Sequence, residues 1–189
     1  HKGDFLEKML EIEKINSFYA FEPQKDIFGE LSKRFSENSK IKLFNFAVDK
    51  EISNKKLQIN KLSMTSSLAE LNEKSLYLKL KNFLLFSKSN FVNEYEVKTN
   101  TIDNIFKDIN LKKTLLKIDV EGFELNVVQG SLIKLKEIPL ILMENQFGNH
   151  YKNNNFNDVK NLLLKQNFVI IKKFVFPTMH YQDILFKKI

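Results

Sequence analysis

Three carboxylates stand close together at Asp119, Glu121 and Glu124, in the stretch Leu-Leu-Lys-Ile-Asp-Val-Glu-Gly-Phe-Glu from Leu115 to Glu124. An apolar run carrying β-branched residues leads into them, Gly122 sits among them, and a helical pattern starts immediately afterwards. That is the outline of a buried parallel strand whose carboxyl end opens into a loop and then a helix. Ligands of open α/β sheets bind at that edge. Carboxylates there can take a proton from a reacting group or bind hydroxyls, which suits acid–base chemistry on a polar acceptor. Acids also favour a helix N-terminus for purely electrostatic reasons. Glu124 is read in that plainer way, and Asp119, directly at the strand end, in the functional one.

Two further strand ends carry informative residues. Glu22 ends the Ser17–Phe21 segment, and Glu144-Asn145 ends the Pro139–Glu144 segment. An acid after the strand that follows the first helix is what such sheets use to hold a nucleotide ribose, because one carboxylate accepts from both hydroxyls. Asp119 with Glu144-Asn145 would also offer hard oxygen donors for Mg²⁺. Polar pocket lining is the preferred reading of those three, so Mg²⁺ is an alternative and not the favoured cofactor. His150 follows Glu144 closely enough to reach the same mouth as a participant, although a loop histidine beside Asn149 and Tyr151 is commonly a surface residue. His180 reads as a turn residue.

The elements that must position these groups alternate. A helix is expected from about Asp4 to Lys14, a strand over Ser17–Phe21, a helix from Lys25 to Phe35 and a strand over Ile41–Val48. After the middle of the chain come a short helix at Thr101–Ile109, the strand at Thr114–Val120, a helix over Glu124–Lys136, the strand at Pro139–Glu144 and a helix around Phe156–Leu163. Such alternation is the signature of a parallel sheet. Phe168–Val175 and Tyr181–Lys187 are joined too closely for a parallel crossover and must pair antiparallel. The stretch at about 55–98 breaks the rhythm, with strands at Lys56–Asn60 and Glu94–Lys98. It reads equally as a lid or substrate wall and as a packing insertion.

Composition narrows the classes. The 189 residues suit a single α/β domain spanning 1–189 with a substantial core, 43% hydrophobic and 28% charged. Without Cys there is no disulfide, thiolate metal site or cysteine nucleophile, which agrees with a cytoplasmic setting. No apolar run approaches the ~20 residues of a membrane span, so no membrane partner is expected. The net charge of +7 raises a nucleic-acid partner. Lysines interleaved with acids along the whole chain favour a solvated basic surface instead. An NAD-type dehydrogenase is disfavoured, since no Gly-x-Gly-x-x-Gly occurs.

Phe21-Glu22-Pro23, Asn45-Phe46-Ala47-Val48 and Leu116-Lys117-Ile118-Asp119-Val120-Glu121-Gly122-Phe123-Glu124, in that order, resemble the FkbM family of S-adenosylmethionine-dependent methyltransferases. Ser66-Ser67-Leu68, Thr101-Ile102-Asp103 and Asp183-Ile184-Leu185-Phe186 match its layout, so the similarity covers almost the whole chain. The resemblance implies a Rossmann-like class I methyltransferase sheet, mostly parallel, with an antiparallel C-terminal hairpin. The family's first strand and Asp-Val-Gly-Ala-type turn have only His1-Lys2-Gly3 as a counterpart, so an N-terminally truncated domain is expected. By position, Gly3 would line the methionine moiety, Glu22 beside Pro23 would hold the ribose hydroxyls, and Ala47 and Val48 would flank the adenine. Asp119 would lie near the cofactor's amino group or the acceptor. Each has a plainer alternative: Pro23 ends a strand, and Ala47-Val48 is ordinary core. Asp119, Glu121 and His150 are the catalytic candidates for methyl transfer to an oxygen, with a sugar or secondary-metabolite hydroxyl as the implied small-molecule or glycan acceptor. The rivals are a non-catalytic or truncated binding module with the same fold, and an RNA-directed methyltransferase or RNA binder.

Overall fold

The computed structural model describes residues 3–60, 67–69, 91–146, 156–175 and 181–189, the side chains of 60 and 91–93 excepted. The fold is mixed α/β. Helix α1 (Asp4–Leu10) precedes β1 (Phe18–Phe21), α2 (Lys25–Arg34) and β2 (Ile41–Phe44), and β1 pairs β2 in parallel. One face of this pair packs through Ile41 and Leu43 on Leu6 and Leu10 of α1 and Ile27, Leu31 and Phe35 of the α2 segment. The other face carries Tyr19, Phe21 and Phe44, and the first two meet Phe106 edge-on.

The expected strand over Ile41–Val48 is divided. Asn45-Phe46 forms a bend, and Ala47–Val48 continues as a separate strand β3 that pairs in parallel with β5 (Phe91–Asn100). The cause is local: the Asn45 side-chain amide donates to the Glu22 and Pro23 carbonyls, at 2.9 and 3.2 Å, so it is turned back toward the end of β1. Strand β4 (Asn54–Asn60) pairs antiparallel with β5, which gives the 55–98 stretch its own framework.

Four strands and three helices complete the main core. Strand β6 (Leu115–Ile118) pairs in parallel with β7 (Leu140–Gln146); β9 (Tyr181–Lys188) runs antiparallel to β7, and β8 (Phe168–Val175) antiparallel to β9. Their apolar faces, with α3 (Ile102–Ile105), α4 (Glu124–Gln129) and α5 (Phe156–Lys165), bury Ile118, Val128, Leu135, Ile141, Met143, Leu163, Phe168 and Phe186. The closing antiparallel hairpin is as expected. The predominance of parallel pairing is not: among the described residues three strand pairings are parallel and three antiparallel, because β4–β5 and the C-terminal strands add their own ladders. The pairings fall into three sheets rather than one, and among the described residues β1 pairs only with β2 and β6 only with β7.

The expected helix over Glu124–Lys136 is also shorter. It stops at Gln129 and resumes as one 3₁₀ turn at Lys134–Lys136. Its stripe is nonetheless correct, since Val128 and Leu135 are buried and Leu125 and Leu132 pack against the same core. The break falls at Gly130, where a β-carbon would stand 2.0 Å from the Asp49 carbonyl oxygen. Thr101 caps α3 by accepting from the Asn104 amide, and the Asp103 carboxylate accepts from Ile133 and Lys134, tying α3 to the turn beyond the break. The helix expected over Thr101–Ile109 is thereby limited to four residues. No helix among the described residues is long and apolar enough to cross a membrane.

Candidate active site

The carboxyl ends of β6 and β7 are adjacent, so the acids that leave them converge. Asp119, Glu121 and Glu144 each offer an oxygen within 4.8 Å of the others. Glu121 has a left-handed backbone (φ 52°), as has Gly122 (φ 92°). Glycine adopts that conformation freely, whereas a glutamate does so at a cost, so the turn that presents Glu121 is held by its surroundings. Ser67 does the holding. Its buried hydroxyl donates to the Glu121 carbonyl at 2.6 Å, lies 3.3 Å from the Val120 carbonyl, and accepts the Ala69 amide at 2.9 Å. Ser67→Ala leaves those groups unsatisfied in a buried position and should destabilise the chain by ~1–3 kcal/mol, measured by urea unfolding. Ser67→Thr, which retains the hydroxyl, should recover most of the loss.

The trio is engaged from both sides. Lys117 Nζ sits 2.6 Å from Asp119 Oδ2 and also lies over the Phe5 ring. The Gln146 side-chain amide donates to Glu121 and, at 3.4 Å, faces Glu144. Burial, followed by the charges of Asp119 and Glu121, raises Glu144 to about 7. Asp183, opposite Glu144 in the β7–β9 ladder, is likewise raised by burial, with Lys117 opposing and Asp119 adding to the effect. These oxygens suit a hard cation chemically, but Lys117 and Gln146 between them already engage all three carboxylates. That arrangement fits polar lining better than a dedicated Mg²⁺ cage.

Glu124, read from sequence as a helix N-terminal acid, opens α4 and is buried. Its Oε1 accepts the Gly122 amide at 3.0 Å, bracing the turn from inside, and burial lifts its ionisation to about 7. Behind the turn lies a second buried acid, Asp49, with Lys55 Nζ at 2.5 Å and the Asn126 amide at 3.0 Å. Lys55 also lies over the Phe123 ring, so this network fixes the turn's far side.

Glu22 stands apart from the trio, at the end of β1, almost fully buried. Its Oε1 accepts the Gln24 amide at 2.8 Å, and burial raises its ionisation above the usual carboxylate range. Pro23 follows it, its carbonyl clamped by Asn45. Ala47 is buried and Val48 packs on the main core. Gly3 (φ 87°) is packed against α2: a β-carbon there would lie 2.7 Å from the Phe35 ring. His150 and His180 lie outside the described residues.

In the sequence, Asn45, Ser67 and Asp103 stand out only as parts of motifs; each holds backbone in place. Gln146 carries no signal in the sequence, and Glu144 reads there as polar pocket lining, with Mg²⁺ ligation as the alternative, and not as a group that ionises near neutrality. The signal available for Glu144 was its place at the strand end beside Asp119. The family model described as the methyltransferase FkbM domain matches residues 1–170. No curated protein and no solved structure matches the chain.

Proposed function

The chain belongs to the FkbM methyltransferase family, and from that premise we propose that it binds S-adenosylmethionine and transfers its methyl group to a hydroxyl of a sugar or other small polar acceptor. The observation that carries this reading is Glu22: a carboxylate at a strand end, with one oxygen fixed by Gln24 and its backbone clamped by Asn45. A diol needs an acceptor already held in place, and the remaining oxygen supplies it. Ala47 and Val48 give an apolar flank for the adenine, and Gly3, at the entry to α1, would face the methionine end. The parallel pairs β1–β2 and β6–β7, with acids at their carboxyl ends, are the two halves of a Rossmann-like sheet in this reading, and the protein acts in the cytoplasm.

The cofactor, when bound, supplies an electrophilic methyl on a sulfonium sulfur. The chain's own task is to align the acceptor oxygen and to take its proton. Glu144, raised to about 7, is matched to that proton near neutrality. Asp119 and Glu121 hold the acceptor's other hydroxyls, while Lys117, paired with Asp119 at 2.6 Å, keeps its carboxylate in place. Four carboxylates around one mouth oppose a phosphate backbone, which favours a small-molecule or glycan acceptor over a nucleic acid.

Calorimetric titration with S-adenosylhomocysteine tests the reading. The wild-type chain should bind it, and Glu22→Gln should weaken binding by ~1.5–3 kcal/mol, the scale of a charged hydrogen bond. No heat of binding with the wild-type chain would overturn the cofactor assignment.

A further inference from the structure

Strand β5 carries one aromatic side chain between two of the residues just described. Tyr95 stands opposite Leu57 in the β4–β5 ladder and packs against the buried cluster of Ala47, Leu57 and Val97. Its phenol oxygen lies beside the Lys25 amide at the start of α2, with the carboxylates of Glu22 and Asp26 nearby. The ring is thus set against the cluster to which Ala47 belongs and the hydroxyl lies near Glu22, and the residue is only partly buried. Burial, with the two negative charges adding to it, moves its ionisation above the usual tyrosine range, so the hydroxyl stays neutral.

A purine nucleoside needs a flat apolar surface for its base and an acceptor for its ribose a few ångströms further on. A plain core tyrosine would need neither the carboxylate nor the partial exposure. Resting on the cofactor reading above, we propose that Tyr95 is the wall on which the adenine ring lies, placed there by the 55–98 stretch rather than by the alternating helices and strands. The ring offers a π-face beside Ala47, and stacking on such a face is sequence-tolerant and strong for any base. Strand β5 is then a part of the cofactor site.

The chain has five Tyr and no Trp, so tyrosine is its only strong emitter and reports the contact directly. S-adenosylhomocysteine should change the tyrosine emission of the wild-type chain. Tyr95→Phe should abolish that change while retaining affinity within about threefold, since the ring remains. Tyr95→Leu, which keeps apolar bulk for the fold, should weaken binding by roughly 5- to 100-fold, with a thermal melt confirming that it folds. Suppose instead that the ligand binds, Glu22→Gln weakens it, and neither the emission nor the Tyr95→Leu affinity changes. Tyr95 would then be a packing residue, and the cofactor reading would stand without it. An emission change that persists in Tyr95→Phe would also overturn the proposal. Absence of binding by the wild-type chain would remove both readings together.

Discussion

Gly130→Ala should cost the chain about 3 kcal/mol or more of stability and shift its urea midpoint accordingly. The backbone of Gly130 is ordinary, so strain in φ is not the reason. The reason is space: the added carbon would sit 2.0 Å from the Asp49 carbonyl oxygen and 2.9 Å from its carbon. Those are main-chain atoms and cannot swing aside like the end of a side chain. Relief would require β3 and α4 to separate. That would disturb Asp49, whose carboxylate is fully buried and depends on Lys55 and Asn126 for its partners. An unpaired buried charge is costly, so the effect should exceed a normal overpacking loss. A Gly130→Ala chain with an unchanged midpoint would mean that the two segments do not approach this closely.

Glu124→Gln should stabilise the protein, increasingly as pH rises from about 4.5 to about 7 and fully above that. Glu124 titrates near 7 in the folded chain against an ordinary 4.5, chiefly because it is buried. A carboxyl whose ionisation is raised by folding binds its proton more tightly in the native state. Its contribution is therefore fully present below 4.5 and is lost as pH rises through about 7. The gap corresponds to ~3 kcal/mol at most. Glutamine keeps an oxygen for the Gly122 amide and never ionises. At pH 8.5 the variant should be the more stable by up to ~3 kcal/mol, and near pH 4 the two should agree. Urea unfolding at both values measures the difference between variant and wild type, in which the other raised acids, Glu22 and Glu144, cancel. Equal stability at pH 8.5 would show that Glu124 ionises without penalty.

What could be read in the sequence was whatever rests on local pattern. The strand at Phe18–Phe21, helix α2, the apolar stripe through Val128 and Leu135 and the closing hairpin all follow from periodicity and short connections. So does the placing of Asp119 at a strand end. Contacts between distant segments were not legible. Nothing in Asn45-Phe46 announces that an amide would reach back to Glu22 and divide a strand, and nothing in Gly130 announces Asp49. The ionisation of Glu144 was hidden for the same reason, since it depends on burial and on charges contributed by another strand. Local spacing brought the acids to one edge of the fold. Which of them would carry a proton near neutrality was decided by packing.

The Ser67 hydroxyl grips carbonyl oxygens at Val120 and Glu121 and no side chain there. Such a fastening is indifferent to which amino acids occupy those two positions. The side chain at 121 can change, within what its left-handed backbone tolerates, and leave the turn anchored, whereas Ser67 admits only a replacement that brings its own hydroxyl. What the turn presents and what supports it are therefore encoded at different addresses in the chain.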